Sequence, residues 1–277
     1  MIRQEQKMEQ QGILSGKAVI VTGAFGGIGL AIARACLAAG ASVLVHGRNE
    51  SQLPGVLEYL DGGDRVEPFV CDMRSEGFAE ALVAAAVGRF GRLDGIANNA
   101  AYVVSSDIGD TTLPLLREVM ETNAFAPFSI IQAALPHLAE TKGAVVNIGS
   151  VNAYAGEPTL LAYSVSKGAL MTLTRNLGDS LHRDYGIRVN QLNVGWVLTE
   201  KEQQRKVGHG LPADWYTLIS PMYAPARRLL DPAEVAHSAV FWLSDLLGPV
   251  SGQAVELEQH PIIGRNPEKN LDALDNE

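Results

Sequence analysis

Ser150, Tyr163 and Lys167 fall within one stretch, from Gly143 to Lys167, whose residue types and spacing could move a proton. The stretch opens on Ala144-Val145-Val146-Asn147-Ile148, a short apolar run between Gly143 and Gly149, which predicts a buried strand. Ser150 stands just past its end, where open α/β sheets place their ligands. Tyr163 and Lys167 are four apart at the start of a helix-like segment, so their side chains share one face about one turn apart. A hydroxyl, a phenol and a permanent cation brought to one point could give a proton to a substrate oxygen or take one from it. Such a site needs a second reagent, and the rest of the chain must position both.

Short apolar, β-branched runs alternate with helical segments along the chain. Strands are predicted at 18–21, 42–45, 66–71, 93–97, 144–148, 187–193 and 253–257, and helices at 28–39, 50–60, 76–90, 112–139, 160–183 and 232–244. That alternation predicts a parallel sheet covered on both faces, an α/β architecture in a single domain. The segment 198–230 breaks the rhythm. It mixes Lys201, Glu202, Arg205 and Lys206 with Trp215, Tyr216 and Tyr223, and reads as a substrate-loop insertion or lid. Residues 1–12 read as a flexible arm, 13–258 as the catalytic domain and 259–277 as a tail, partly solvated.

The second reagent is foreshadowed at Thr22-Gly23-Ala24-Phe25-Gly26-Gly27-Ile28-Gly29, which joins the first strand to the first helix. Glycines at 23, 27 and 29 allow a tight turn, close approach of backbone to a pyrophosphate and close packing of helix on sheet. The free N–H groups and dipole of the helix start favour the negative charge. NAD sites place a carboxylate at the end of the second strand, but here stand His46-Gly47-Arg48-Asn49, with no acid until Glu50. A guanidinium without that carboxylate favours a 2′-phosphate, so NADP(H) is expected, with NAD(H) as the alternative.

With these residues in view, the chain resembles the short-chain dehydrogenase/reductase family from about Leu14 to Leu257. The matches are TGxxxGxG at 22–29, Asp72 after the third strand, Asn98-Asn99-Ala100 after the fourth, then Asn123, Ser150 and the YxxxK pair Tyr163/Lys167. The resemblance implies a Rossmann-like, doubly wound sheet of about seven strands and hydride transfer between NAD(P)(H) and an alcohol/carbonyl pair. It implies a catalytic tetrad of Asn123, Ser150, Tyr163 and Lys167. It implies cofactor contacts from Gly23, Phe25, Gly26, Gly27, Ile28 and Gly29, from Arg48, Asn49, Asp72 and Met73, and from Asn98, Asn99 and Ala100. Tyr163, Lys167, Val197 and Thr199 complete that set, with Asp72 near the adenine and Thr199 near the nicotinamide amide.

Physical chemistry supports the tetrad roles. A free tyrosine titrates near about pH 10, so roughly one in a thousand is phenolate at neutral pH. A neighbouring Lys⁺ and the positive nicotinamide would lower that value and let Tyr163 exchange a proton, while Ser150 hydrogen-bonds the same substrate oxygen. Pro127 lies four residues after Asn123 in an expected long helix and cannot donate back to the carbonyl of residue 123. A kink is predicted there, freeing that carbonyl for a water leading to Lys167. The chain departs from the family pattern at Val194 (for proline), Ala101 (for glycine) and Leu257-Glu258-Gln259-His260 (for VDGG). That last departure suggests a carboxy-terminal region with its own task, such as covering the active site of a neighbouring subunit.

The formal net charge of −9 argues against non-specific nucleic-acid or membrane-surface binding. The 2 cysteines form no disulfide framework, the 6 histidines show no metal-ligand spacing, and a cytoplasmic protein without a bound metal is expected. The 160–183 helix carries apolar residues on more than one face, which with the resemblance suggests a homo-oligomer, dimer or tetramer. The partner is a small-molecule alcohol or ketone. Asn152, Tyr154, Glu157 and Trp196 are the candidate substrate residues. They suit a polyol or sugar, with a 3-oxoacyl or steroid-type ketone as the alternative, and a dinucleotide-binding sensor or scaffold as the non-enzymatic reading.

Overall fold

The computed structural model describes residues 12–265, so most of the expected amino-terminal arm (1–11) and the end of the tail (266–277) lie outside the described residues. A parallel seven-stranded sheet runs in the order β3-β2-β1-β4-β5-β6-β7. Its strands are β1 (Ala18–Val21), β2 (Ser42–Gly47), β3 (Val66–Val70), β4 (Gly95–Asn98), β5 (Ala144–Ile148), β6 (Arg188–Val194) and β7 (Ala254–Leu257). The helices are α1 (Gly27–Ala38), α2 (Leu53–Leu60), α3 (Phe78–Phe90), α4 (Leu113–Met120), α5 (Ala126–Thr141), α6 (Leu161–Tyr185), α7 (Glu200–Gly208) and α8 (Pro232–Leu243).

Alternate residues of each central strand feed different layers. Val19 and Val21 join one core with Ile32, Cys36, Val235 and Ala239, whereas Ile20 joins another with Leu82, Ile96, Ile130 and Leu138. Both faces are therefore covered, as a parallel sheet of this composition demands. Pro68 sits in β3, an edge strand, where a missing N–H costs no interior ladder bond.

Two expectations change form. The segment 198–230 is not one loop, since it holds α7 and a turn at Trp215–Thr217. Thr199 caps α7 by accepting from the Glu202 backbone N–H at 3.1 Å, and Thr-x-x-Glu is a helix-start signal visible in the sequence. The break expected at Pro127 is a π-turn, Glu121–Phe125, in which the Ala126 N–H reaches back five residues to the Glu121 carbonyl.

β6 is fully buried yet carries Asn190, Gln191 and Asn193. A chain of polar side chains beneath the sheet's carboxyl end satisfies two of them. Asn98 Nδ2 donates to Asn147 Oδ1 (2.9 Å), Asn147 Nδ2 to Thr174 Oγ1 (2.8 Å), Thr174 Oγ1 to Gln191 Oε1 (3.0 Å) and Gln191 Nε2 to Asn193 Oδ1 (2.6 Å). The chain locks β4, β5 and β6 to α6. Thr174→Val keeps the shape but strands two buried partners, so we expect a loss of about 1–3 kcal/mol in urea denaturation. A variant as stable as the wild type would show that the chain holds nothing together.

Candidate active site

The sheet order reverses beside β1, whose neighbours are β2 and β4, and the crevice opens at the carboxyl ends there. Asn99 ties its two lips together. Its Nδ2 donates to the carbonyls of Thr22 (2.9 Å) and Gly23 (3.2 Å), while the Asn99 and Ala100 N–H groups donate to Thr22 Oγ1 at 3.0 and 3.1 Å. Gly29 packs so closely that a Cβ there would run into the Gly23 carbonyl. Gly26 begins α1 with no side-chain cap, no acid in the first turn and open space where a Cβ would stand. An uncapped, unquenched helix start facing open space fits the pyrophosphate of a dinucleotide.

The other expected cofactor residues gather around this turn. A Cβ on Gly27 would come within 3.3 Å of the Thr199 methyl, so the start of the 198–230 segment reaches the cradle, next to buried Val197. Phe25 buries its ring against Gly47, and Asn49 caps the short turn Glu50–Gln52. Arg48 is exposed at the end of β2, and its charge reaches Asp72. The Asp72 carboxylate is itself engaged by Arg74 (3.0 and 2.7 Å), which holds it down at about 2, and Arg74 also pairs with Glu118. Met73 packs on the core behind it. Asn98, expected along the cofactor, is buried and turned to Asn147, with its Oδ1 unpartnered among the described residues.

The four tetrad residues come together at the ends of β5, the π-turn and α6. Lys167 is buried, and its Nζ donates to the Ile148 carbonyl at 2.7 Å. Its ammonium lies 5.6 Å from the centre of the Tyr163 ring. Ser150 is buried at the end of β5. The Asn123 side chain makes three bonds: Oδ1 accepts from the Tyr102 N–H (2.7 Å), and Nδ2 donates to the Tyr102 carbonyl (3.1 Å) and Ser166 Oγ (2.9 Å). Ser166 in turn donates to the Tyr163 carbonyl at 2.6 Å, so Asn123 steadies the turn of α6 that carries the phenol.

Electrostatics corrects one expectation. The phenol oxygen is surrounded by protein although the residue keeps some accessible surface, and burial pushes Tyr163 up to about 12. A hydrogen bond with Ser150 and the charge of Arg205 pull it down, while Glu157 and Glu202 push it up. Burial draws Lys167 itself down to about 8, and its ammonium is directed at a carbonyl.

The substrate candidates divide. Glu157 is exposed, held by Asn152 Nδ2 (3.2 Å) and Thr159 Oγ1 (3.4 Å). The Tyr154 hydroxyl instead donates to the Ala254 carbonyl of β7 at 3.2 Å. Trp196 stacks on Trp215 at 5.3 Å, donates from Nε1 to Glu202 Oε1 at 2.9 Å and has Lys206 over its ring at 5.0 Å, so its indole belongs to the lid. Glu202 and Arg205, which pair with each other at 2.8 Å, were named in the sequence only as charges of the substrate-loop segment, without a role. Their signal was the i,i+3 opposite-charge pair after a capping Thr. Ser166 had none. Among the described residues no group of His, Cys, Asp or Glu could hold a metal ion, and no helix is long and apolar enough to cross a membrane.

Comparison with known proteins places these features in context. The family model described as enoyl-(acyl carrier protein) reductase matches residues 23–258. L-fucose dehydrogenase of Rattus norvegicus is 34% identical over 240 residues, covering 86% of this chain and 87% of that protein. 2-(S)-hydroxypropyl-CoM dehydrogenase 3 of Xanthobacter autotrophicus is 30% identical over 247 residues, 88% of this chain and 96% of its own. A crystal structure of an actinorhodin polyketide ketoreductase variant with NADPH superposes with a TM-score of 0.81 at 31% identity, covering 87% of this chain and 95% of that one.

The buried lysine has a consequence for stability. Folding lowers its pKa from 10.5 to about 8. Between those values the unfolded chain keeps a proton that the folded chain has lost, so stability must rise with pH across that window. We expect the cofactor-free protein to gain on the order of 2 kcal/mol from pH 8 to 10 in urea denaturation, and Lys167→Met to lack this rise. Parallel curves for the two proteins would exclude the assignment.

Proposed function

Because the chain belongs to the short-chain dehydrogenase/reductase family and is an alcohol-type oxidoreductase, we propose that it interconverts a secondary alcohol and a ketone on a sugar- or polyol-like substrate, with NADP(H) preferred and Tyr163 as the acid/base. The bound dinucleotide supplies or accepts the hydride. A phenol held near 12 stays protonated at neutral pH, which suits donation to a carbonyl oxygen as it gains electrons. The Ser150 hydroxyl hydrogen-bonds the same oxygen as negative charge develops on it. Lys167 stands behind Tyr163 as the buried cation of the site, and Asn123 fixes the helix turn that aims the phenol. In the oxidative direction the phenol must lose its proton, so the positive charge carried by the oxidised nicotinamide is needed to offset burial.

The observation that carries the substrate class is Glu157, exposed beside Asn152 and Thr159 and close enough for its charge to act on Tyr163, with the Glu202–Arg205 pair also acting on it. Carboxylates accept hydrogen bonds from several hydroxyls at once, so they recognise a polyhydroxyl chain better than an acyl chain. The likeness to L-fucose dehydrogenases supports this reading. A ketoreductase acting on an apolar substrate is the second reading, favoured by exposed Leu218, Met222 and Tyr223 in the lid and by the likeness to a polyketide ketoreductase. NADP(H) preference rests on exposed Arg48, with Arg74 close by and the Asp72 carboxylate already neutralised. Exposed Leu113, Phe125, Phe128 and Val165 support a homo-oligomer.

A panel of aldoses and polyols, L-fucose among them, set against β-keto thioesters and steroid ketones and followed by NAD(P)H absorbance, tests the reading. We expect turnover of the sugars, with Tyr163→Phe lowering kcat at least about 100-fold at unchanged cofactor affinity. Turnover of the apolar ketones alone would replace the sugar reading with the second one. Arg48→Ala should lower kcat/KM with NADP(H) by about tenfold or more and leave NAD(H) within about twofold. Equal losses with both would remove the 2′-phosphate assignment.

A further inference from the structure

The end of the described chain departs from the family pattern at Glu258-Gln259, and these two side chains take hold of the 198–230 segment at both of its ends. Where the chain enters the segment, Glu258 Oε2 accepts the Trp196 backbone N–H at 2.9 Å. Where it returns, Gln259 Oε1 accepts the Ala226 N–H at 2.9 Å and Gln259 Nε2 donates to the Arg228 carbonyl at 2.7 Å. Between these points the neck is closed by two backbone bonds, Leu198 N–H to the Leu230 carbonyl (2.9 Å) and Leu230 N–H to the Trp196 carbonyl (3.0 Å). Further on, Glu256 Oε2 accepts the Ile262 N–H at 2.9 Å and Arg265 donates to the Met222 carbonyl, so the chain after β7 folds back over its own lid. Gly195 has a matching reason to lack a side chain, because a Cβ there would overlap the Glu258 carboxylate.

We propose that Glu258 and Gln259 form a clasp on the neck of the lid and are positioning residues for the substrate side of the site. The clasp acts through Trp196. Its backbone is held by Glu258 and its indole by Glu202, and the charge of Glu202 acts on the Tyr163 phenol. Releasing the neck frees α7, and with it Glu202 and Arg205, while the Gly-rich turn and the Asn99 tie stay intact. The clasp therefore governs substrate affinity and the Tyr163 environment most, and cofactor affinity less, through Val197 and Thr199 just beyond Trp196. Its effect on substrate rests on the proposed function above, whereas its effect on the lid does not.

The test compares Glu258→Ala, Glu258→Gln and Gly195→Ala with the wild-type full chain. Acrylamide quenching of the tryptophans and trypsin cleavage at Lys201, Arg205 and Lys206 report the lid without turnover. NADPH affinity, KM and kcat with L-fucose, and the pH profile of kcat report the site. We expect Glu258→Ala and Gly195→Ala each to raise trypsin cleavage about tenfold, to increase quenching, to raise KM at least fivefold with a smaller change in kcat, and to shift the pH profile. NADPH affinity should fall by clearly less than KM rises, Glu258→Gln should be intermediate, and the Gly195→Ala/Glu258→Ala double variant should be no worse than either single one. Wild-type cleavage and quenching in Glu258→Ala would overturn the proposal, as would a loss of NADPH affinity as large as the rise in KM. If L-fucose is not turned over, the substrate reading fails, and cleavage and quenching still decide the clasp.

Discussion

The Asn99 side chain bridging β4 to the Thr22–Gly23 backbone is the interaction on which the site depends. Where the strand order reverses, the connections after the paired strands β1 and β4 run to opposite faces of the sheet and leave a crevice whose lips need to be tied. Asn99 ties them with an amide that imitates a backbone donor, while Thr22 Oγ1 accepts the two N–H groups beyond β4. The first turn is thereby fixed in a shape that presents an uncapped helix start to the crevice. The tetrad stands across the same crevice, at the end of β5, because β5 pairs with β4 in register, Asn98 opposite Asn147.

Charge in this site is controlled more by exclusion of water than by pairing. Tyr163 and Lys167 both move toward their neutral forms on burial, the phenol upward and the ammonium downward. Around them the ionised groups are Glu157, Glu202 and Arg205. The charged side chains of α7 and Glu157 thus act on a buried acid. The surface pairs elsewhere, such as Arg183 with Asp179, are exposed and contribute little by comparison.

Much of this was legible in the residues. Apolar β-branched runs separated by helical periods place all seven strands, because a sheet covered on both faces demands that composition. The Gly-rich turn, Ser150 and the Tyr163/Lys167 spacing are local signals, and local signals survive without coordinates. What was not legible depends on contacts between distant segments. Asn98 and Asn99 are adjacent and identical in type, yet one is turned into a buried polar chain and the other onto the first turn, which alternation of strand residues decides only once β5 is in place. The stacking of Trp196 on Trp215 joins residues nineteen apart and has no local signal. The direction of the Tyr163 shift required knowing how completely the phenol is enclosed.

The π-turn at Glu121–Phe125 sets a relation of phase between two helices. One residue more per turn than the α-helical ladder allows rotates everything on one side by about 100° relative to the other. Asn123 stands inside that extra turn, facing Ser166, while α4 before it and α5 after it present unrelated faces to their neighbours. Removing a single residue from 121–125 would restore an ordinary ladder and leave the chain of atoms nearly as long. It would also turn Asn123 off α6 or swing the whole of α5 off the sheet. The length of this connection is therefore counted in angle and not in distance.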